Sequence, residues 1–266
     1  MTPCMDEEAA LNANLADKAA LLRRLHHGTR PLVLPNAWDV ASARLVEKAG
    51  FPVVATSSGA IAASLGYEDN NSMPVDEAFG AVARIARNVS IPVTADMEAG
   101  YHLSPAEFVA RLLDAGAVGC NVEDADHDVG SGLVPAEQHA DWLRAVKEAA
   151  AERGVDIVLN ARLDVMRQAG DEAALFDEAV RRAGRYLEAG ADCVFPVNIA
   201  AETQIANFVA RVKGPVNIVG AGAPPLPRLA QLGVARVSFA GTLMRKTYAG
   251  LEATLSDIAR ASSALV

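Results

Sequence analysis

Short apolar runs and longer segments of helical periodicity alternate eight times along the chain, and this alternation restricts the fold more than any other feature. Most runs are β-branched and apolar through their whole length, as expected of parallel strands buried on both faces. Eight such units favour an α/β protein with a closed (β/α)8 TIM barrel over an open doubly wound sheet. The predicted strands are residues 31–34, 53–56, 93–96, 119–123, 157–161, 193–196, 216–219 and 237–239.

The junctions between predicted helices and strands carry a repeated glycine, which suits the left-handed backbone that ends many helices. Ser104 with Pro105, and Pro135, mark helix starts through the residue preferences of that end. The glycines at the junctions are Gly50, Gly116, Gly190 and Gly233.

Helices are also predicted on both sides of the eight units. Residues 6–25 form a helix within a segment, 1–30, that covers the barrel, and residues 243–261 form a long helix that packs on its own barrel or on a neighbour's. No linker-like stretch divides the chain, so residues 1–266 are predicted to form one domain. The length agrees with this, because a barrel of eight units typically needs about 250 residues.

Composition and charge exclude several classes of function. Hydrophobic residues make up 51% and charged residues 21% of the chain, which indicates a buried core rather than disorder. The net charge of -9 argues against a nucleic-acid partner, since binding to phosphates needs a basic face. No apolar run approaches the length of a membrane span, and the acidic N-terminus differs from a signal peptide. We therefore expect a cytoplasmic protein without a nucleic-acid or membrane partner.

The three cysteines, Cys4, Cys120 and Cys193, are widely spaced along the chain. They match neither a disulfide framework nor a zinc site, and their scarcity suits a reducing compartment. Cys120 and Cys193 lie within predicted strands, and we interpret them as small core residues.

Acidic side chains follow two neighbouring predicted strands, at the end of the barrel where such enzymes carry their chemistry. Asp96 ends the third strand, Glu98 lies two residues later on the same face if the extended backbone continues, and Glu123 ends the fourth. Converging carboxylates repel one another unless a cation lies between them, and Mg²⁺ prefers oxygen ligands and keeps several waters. We predict a Mg²⁺ site here, which Mn²⁺ could also occupy; the alternative is that these acids cap helices or pair with nearby bases.

A lone base and a small-residue loop lie at the same end of the predicted barrel. Arg162 follows the fifth strand, where it could bind a substrate carboxylate through two guanidinium nitrogens or form a salt bridge to Glu123 or Asp164. The second strand leads into TSSGA, whose backbone N–H groups could bind an anion at a helix start. Both features suggest an anionic substrate.

These motifs together resemble those of the isocitrate lyase and phosphoenolpyruvate mutase superfamily, from about Leu32 to the end of the eighth strand. The resemblance implies a β/α barrel enzyme that stabilises an enolate-like group of a small 2-oxo acid while a neighbouring bond breaks or forms. The matching pieces, in the superfamily's order, are LPNAWDVASARLVEKAGF, TSSGA, GYEDNN, TADMEAGY, VGCNVED and LNARLD.

The resemblance also implies roles for individual residues. Asp96, Glu98 and Glu123 fall on acidic metal-site positions, directly or through water, and Asp96 is expected to contact the substrate as well. Arg162 matches the substrate-binding arginine, with a role in catalysis.

Further positions match the loops that follow the second strand. Ser58, Gly59 and Ala60 correspond to the loop that binds the substrate carboxylate. Asp69 corresponds to a catalytic aspartate, the proposed phosphoryl acceptor in phosphoenolpyruvate mutase, and the alternative is an Asx-turn residue in the polar EDNN stretch.

The loop after the fourth strand departs from the superfamily pattern. Its sequence, DADHDVGSGLV, contains neither the Lys-Lys-Cys-Gly-His type motif of the lyases nor the Lys and Asn of the phosphonate mutases. His127 is the loop residue whose ordinary pKa suits proton transfer near neutrality, so we predict a general acid there; a solvent-exposed histidine is the alternative. Asn198, after the sixth strand, is predicted to bind substrate where the mutases carry a histidine.

Three functions stay open on the sequence alone. The preferred one is a Mg²⁺-dependent lyase or hydrolase acting on a carbon–carbon bond of a small 2-oxo or 2-hydroxy diacid, because the phosphonate-specific loop residues are absent. The second is a phosphonomutase or phosphonopyruvate hydrolase acting on a P–C bond. The third is a non-catalytic protein that binds a 2-oxo acid. Since superfamily members often form dimers or tetramers through the last helix, we expect a homodimer or homotetramer with that helix exchanged between subunits.

Overall fold

The computed structural model describes residues 5–127 and 132–263. Parallel strands in these ranges form the wall of a barrel, and one short antiparallel hairpin follows the fifth of them. The wall strands are β1 (Leu32–Leu34), β2 (Asn36–Ala37), β3 (Val54–Thr56), β4 (Val93–Asp96), β5 (Gly119–Glu123), β8 (Val158–Leu163), β9 (Cys193–Pro196), β10 (Asn217–Val219) and β11 (Arg236–Ser238), and the hairpin is β6 (Ala125–Asp126) with β7 (Gly132–Leu133).

The wall closes on itself through two runs of parallel pairing. One run has the order β2-β3-β4-β5-β8-β9, and the other has the order β1-β11-β10. A parallel bridge between Val194 and Val216 joins β9 to the segment that leads into β10, and the chain itself joins β1 to β2. The predicted (β/α)8 barrel is therefore confirmed.

Helices alternate with the strands and cover the outside of the wall. Their buried faces follow the helical period, as in the buried Phe108, Val109, Leu112 and Leu113 of one of them. The helices are α1 (Met5–His26), α2 (Val40–Lys48), α3 (Ser58–Leu65), α4 (Val75–Ala86), α5 (Pro105–Asp114), α6 (Ala136–Glu152), α7 (Glu172–Glu188), α8 (Glu202–Arg211), α9 (Leu226–Gln231) and α10 (Thr242–Ser263).

The predicted helix boundaries agree with the structure. Ser104 caps α5 by accepting from the Glu107 N–H at 3.3 Å, and Pro135 directly precedes α6. The four junction glycines all have the predicted positive φ, between 80° and 102°.

Two predicted strands differ in extent. The fifth predicted strand, residues 157–161, runs on to Leu163, so Arg162 lies within β8 rather than after it. The first predicted strand is followed by a second short segment, Asn36–Ala37, which was not predicted because Pro35 interrupts the apolar run.

Helix α1 covers the end of the barrel where the strands begin. Leu22 is fully buried, and a Cβ on Gly119 of β5 would lie only 2.7 Å from its Cδ2 atom. Arg23 donates to the carbonyl oxygens of Asp156 and Ile157, each at 3.0 Å, just before β8. The opposite end of the barrel is left for a site.

Helix α10 leaves the barrel after its first turn. Met244 is buried, whereas every residue from 245 to 263 is exposed. An apolar stripe at helical spacing runs along the projecting part, where Tyr248, Leu251, Leu255 and Ile258 are 46–56% exposed. The structure thus excludes packing of this helix on its own barrel. No helix in the described ranges has the length and apolar character to cross a membrane.

We predict that the stripe on α10 packs on a second copy of the chain. Leu251→Glu combined with Leu255→Glu should convert a dimer or tetramer into a monomer in light scattering, because charges replace the apolar contact. Ala253→Glu, on the opposite face of the same helix, is the control and should keep the wild-type mass. A monomeric wild-type protein would contradict the prediction.

Two buried histidines make the stability of the fold depend on pH. Burial lowers the pKa of His26 to about 4, and burial lowers the pKa of His139 to about 4 as well. As the pH falls below the ordinary value of 6.5, the unfolded chain takes up these protons before the folded chain does. The free energy of unfolding therefore decreases between pH 6.5 and about pH 4.

The expected decrease is about 1.4 kcal/mol per pH unit for each histidine. His26→Gln should make the slope of stability against pH shallower by about that amount in urea denaturation at several pH values. His27→Gln changes an exposed neighbour and should keep the wild-type slope. An unaltered slope in His26→Gln would mean that His26 is already protonated in the folded protein.

Candidate active site

A cavity of about 560 Å³ opens at the end of the barrel where the strands stop, opposite α1. Most predicted site residues contribute to its lining, which places them where barrel enzymes carry out their chemistry. The predicted residues that line it are Ser58, Gly59, Ala60, Asp69, Asp96, Arg162 and Asn198.

Asp96 is the most firmly held carboxylate of the site. Its Oδ2 atom accepts from the Ser58 N–H at 3.1 Å and from the Ser58 hydroxyl at 3.0 Å. Its Oδ1 atom accepts from the Asn121 side-chain amide at 3.2 Å, and its own N–H donates to the Thr56 hydroxyl at 2.9 Å. Donors on the neighbouring β3 and β5 sides therefore fix the carboxylate at the cavity.

The Asn121 amide is oriented by two donors that share its oxygen. Asn160 on β8 donates to Asn121 Oδ1 at 2.8 Å, and Arg236 on β11 donates to the same atom at 3.0 Å. With Oδ1 engaged twice, the Nδ2 donor is directed at Asp96. Arg236 is 1% exposed, and its Nε and second terminal nitrogen have no hydrogen-bond partner in the described ranges.

Glu98 does not continue the strand as the sequence interpretation assumed. Strand β4 ends at Asp96, and Glu98 has a left-handed backbone with φ 48°. Its carboxylate accepts from the Tyr101 hydroxyl at 2.6 Å and from the Asn71 N–H. Glu98 is 1% exposed and does not line the cavity, so it lies behind Asp96 rather than beside it.

Glu123 and Arg162 face each other across β5 and β8. They are register partners, and their side chains form a buried ion pair. Arg162 also donates to Asp164 at 2.9 Å, and His127 Nε2 lies 2.7 Å from Glu123. The alternative salt-bridge role of Arg162 is thus present, and the same guanidinium also borders the cavity.

A second cavity of about 320 Å³ adjoins the first beside the hairpin. Glu123 and His127 line this smaller cavity, whereas Asp69, Arg162 and Arg167 line both. His127 therefore lies next to the site, within hydrogen-bonding distance of Glu123. Residues 128–131 of the same loop lie outside the described ranges.

A buried network supports Asp164 from behind. Asp124 accepts from the Asp164 N–H at 2.8 Å, from Arg182 at 2.9 Å and from the Tyr186 hydroxyl at 2.7 Å. Arg182 also donates to the Val134 carbonyl at 2.9 Å, which ties the end of the hairpin to α7. Asp124 and Arg182 therefore connect the end of the hairpin to Asp164, which is a partner of Arg162.

The Asp69 carboxylate lies close to the start of α3. A Cβ on Gly59 would lie 2.7 Å from Asp69 Oδ2, so a larger residue at that position would displace the Asp69 carboxylate. Gly59 lines the cavity as the second residue of α3, where an N–H has no acceptor within the helix. The neighbouring Ser58 N–H and hydroxyl both donate to Asp96, and the Ala60 N–H lies 3.4 Å from the Ser57 hydroxyl.

Three carboxyl groups around Asp96 titrate above their ordinary range. Burial raises the pKa of Asp69, and the nearby Asp96 raises it further. Burial likewise raises the pKa of Glu98, to which Asp69 and Glu123 add repulsion. Burial raises the pKa of Glu123 against the opposing effect of Arg162. The site thus concentrates negative charge that a cation would stabilise.

The predicted metal residues do not form a compact group of ligands. In the part of the chain that the structure describes, no cluster of three or more Asp, Glu, His or Cys side chains has metal-binding spacing. Asp96 alone of the three borders the larger cavity, and Glu98 and Glu123 already have partners. A hydrated cation would suit this donor set, because Asp96 would hold it at the cavity and Glu98 and Glu123 would act on it through water.

Several participants were not predicted from the sequence. Asn121 shares a strand face with Glu123, so a polar residue in an otherwise apolar strand could have indicated it. Arg236 begins an apolar strand and could have been noticed in the same way. Arg167 lines both cavities and donates to Asp164 at 3.2 Å, but it lies in a turn after β8 whose path the sequence does not reveal.

The two described cysteines are buried in the core. Burial raises the pKa of Cys193 to about 12 and raises that of Cys120 as well, so both thiols are core residues, as predicted. Cys4 lies outside the described ranges.

Asn198 is exposed at the cavity, with a left-handed φ of 62°, and donates to the Met166 carbonyl at 3.4 Å.

Comparison with known proteins agrees with this geometry. The family described as phosphoenolpyruvate phosphomutase matches residues 22–259. The chain belongs to that family. The resemblance to the isocitrate lyase and phosphoenolpyruvate mutase superfamily is therefore confirmed, and its members include lyases and mutases.

Three relatives show the range of the family. The 2-methylisocitrate lyase of Escherichia coli K12 is 31% identical over 222 residues, covering 79% of this chain and 73% of that one. A solved structure from Burkholderia cenocepacia J2315, provisionally described as a phosphonomutase, is 36% identical with a TM-score of 0.85, covering 90% and 99% of the two chains. The phosphoenolpyruvate phosphomutase of Streptomyces platensis subsp. rosaceus is 25% identical with a TM-score of 0.80, covering 92% and 88%.

We predict that Arg236→Met stabilises the fold and weakens metal binding. Removing two unpaired buried donors should raise the free energy of unfolding by about 1 to 3 kcal/mol in urea denaturation, because Asn160 still satisfies Asn121. Loss of the second donor to Asn121 should weaken Mg²⁺ binding in calorimetry by about 10-fold or more.

Arg153→Met changes an exposed arginine at the end of α6 and should alter neither measurement. If Arg236→Met unfolds more easily and binds Mg²⁺ as the wild type does, Arg236 serves the fold and not the site.

Proposed function

We propose that this chain is a Mg²⁺-dependent enzyme that stabilises the enolate formed when a bond beside the carbonyl of a small 2-oxo acid, or beside the hydroxyl of a 2-hydroxy acid, breaks. The observation that carries this is the Asp96 carboxylate, which is held by three hydrogen bonds and faces one cavity together with Arg162 and Gly59. An anionic substrate needs such cationic and N–H donors, while the acids need a cation.

Asp96 would hold the metal directly, and Glu98 and Glu123 would hold it through water. When bound, Mg²⁺ supplies a positive charge for a substrate carboxylate and a developing enolate oxygen. Burial raises the pKa values of Asp69, Glu98 and Glu123, and a bound cation would favour their ionised forms.

The chain's own donors provide the rest of the stabilisation. In a 2-hydroxy acid, the hydroxyl proton leaves, the C–O bond becomes a carbonyl, and the electron pair of the C–C bond passes to the other fragment as an enolate, which is then protonated. Arg162 is rigid, since Glu123 and Asp164 hold it from two sides, and it is fixed before substrate binds. Such preorganised donors typically contribute on the order of 100-fold or more to the rate.

We favour cleavage of a carbon–carbon bond over a P–C bond. The loop from Ala125 to Val134 lacks the Lys and Asn of phosphonate mutases. His127 is the proton donor that we assign to this loop, and its hydrogen bond to Glu123 raises its pKa above the ordinary value, which favours the protonated form. A diacid is the substrate form predicted from the sequence.

A P–C bond reaction is the second candidate, and Asp69 is the observation that favours it. Its carboxylate lies at the wall shared by both cavities, next to the Gly59 N–H, where it could act on phosphorus. A protein that binds a 2-oxo acid without turnover is the third candidate.

The test incubates the protein and Mg²⁺ with oxaloacetate, 2-methylisocitrate, 2,3-dimethylmalate and phosphonopyruvate, and measures pyruvate, oxalate and phosphate. We expect carbon–carbon cleavage without phosphate release. Asp96→Asn should lower kcat/KM by on the order of 100-fold, because it weakens the metal site and the charge at the cavity.

Asp114→Asn, an exposed change at the end of α5, is the matched control and should keep full activity. Phosphate release without carbon–carbon cleavage would favour the second candidate instead. Binding of an oxo acid that depends on Mg²⁺, with no product from a broad panel, would favour the third.

A further inference from the structure

Two arginines share one acceptor at the wall between the two cavities. Asp164 Oδ1 accepts from Arg162 at 2.9 Å and from Arg167 at 3.2 Å. Arg162 lies within β8, and Arg167 ends the short 3-10 turn, Val165–Arg167, that follows this strand. Because both guanidinium groups donate to the same oxygen, they lie next to each other, and each of them lines both cavities.

The two guanidinium groups differ in what they can still bind. Arg162 is buried and is already paired with Glu123 and Asp164. The side chain of Arg167 is 56% exposed, and within residues 5–127 and 132–263 Asp164 is its one hydrogen-bond and ion-pair partner. A guanidinium carries five N–H donors, so most of those of Arg167 remain available to a bound anion.

The smaller cavity has room for an anionic group beside Arg167. It measures about 320 Å³ and adjoins the larger cavity. A carboxylate has three non-hydrogen atoms, which need about 90 Å³ at about 30 Å³ for each water-sized group. Glu123 and Asp164 also line the smaller cavity, but both are paired with Arg162, so Arg167 is the cation with donors to spare.

Cleavage beside a 2-hydroxy acid head transfers negative charge to a carboxylate on the next carbon. The electron pair of the bond between C2 and C3 passes to C3 and is shared with the C3 carboxylate, which becomes an enediolate until C3 takes a proton. A guanidinium at that carboxylate stabilises this added charge more strongly than the charge of the bound substrate. The favoured carbon–carbon cleavage therefore needs an anionic group on C3 and a cation beside it.

We propose that Arg167 binds a second carboxylate of the substrate, carried on C3 of a 2-hydroxy diacid or of a hydrated 2-oxo diacid. The head carboxylate lies at Arg162 and Gly59, and the second carboxylate enters the smaller cavity. In the cleavage step, the C2 hydroxyl proton passes to Asp69 at the wall of both cavities, and C3 takes its proton from His127, which lines the smaller cavity. Arg167 thus determines specificity for diacids, and the proposal rests on the proposed function for the head.

The test compares malate with 2-hydroxybutanoate by calorimetry in the presence of Mg²⁺, each acid as the racemate. The two acids share the 2-hydroxy acid head and differ in a carboxylate against a methyl group on C3. We expect the wild-type protein to bind malate more tightly by about 10-fold or more, because a charge-assisted hydrogen bond to Arg167 forms only with the carboxylate.

Variants at Arg167 test the location. Arg167→Met should bring the affinity for malate to within about threefold of that for 2-hydroxybutanoate and leave the latter within about twofold of the wild-type value. Arg167→Lys keeps the charge without the planar fork and should retain part of the preference. Arg144→Met is the matched control and should keep the full preference, because Arg144 on α6 is also half-exposed and pairs with an acid three residues earlier, Asp141.

The outcomes separate the two proposals. Equal binding of the two acids by the wild-type protein, or an unchanged preference in Arg167→Met, overturns the role of Arg167 and leaves the proposed function intact. An Arg167→Met protein that binds both acids equally more weakly would assign Arg167 to the support of Arg162, and this result also overturns the proposal. If the wild-type protein binds neither acid with Mg²⁺ present, the head assignment fails, and the proposed function with it.

Discussion

The Asp96 carboxylate depends on a chain of hydrogen bonds that crosses the barrel interior. Arg236 and Asn160 fix the oxygen of Asn121, and Asn121 then donates to Asp96. This chain exists only because β4, β5 and β8 pair in register, with Asp96 opposite Asn121 and Asn121 opposite Asn160. A slip by one residue would turn the amide away and leave Asp96 held by Ser58 alone.

The same register creates a buried ionic pair at the other side of the site. Glu123 and Arg162 are opposite one another, and Asp124 supports Asp164 through α7. Burying these charges is costly and adds little net stability by itself. The arrangement is better understood as preorganisation, because a guanidinium held from two sides does not need to be ordered when a substrate arrives.

The barrel thus divides its open end by chemistry. Asp96, Asn121 and Arg162 line the cavity on the side of β4, β5 and β8, whereas most lining residues on the side of β9, β10 and β11 are apolar. Phosphoenolpyruvate phosphomutase and 2-methylisocitrate lyase are both among the relatives, and in the proposed function the charged side of the cavity binds the cation and the substrate carboxylate.

The sequence by itself determined the barrel, the eight strand positions, the capping glycines and the candidate acids, because hydrophobic periodicity and turn chemistry are local properties. It also identified Arg162, Asp69 and Ser58 through ordered motifs. It placed Glu98 on the strand face, which was wrong, because the extended backbone stops at Asp96 and a left-handed residue follows.

Only the tertiary structure decided which groups meet. Arg236 reaches Asn121 across 115 residues of sequence, and Arg167 enters the site through a turn. The larger cavity combines side chains from several strands, the loops after them and a helix, and no local pattern indicates that they share one cavity. Local periodicity specifies which residues form strands. Barrel closure specifies which side chains face one another across the strands, and the chemistry of the site depends on those side-chain contacts.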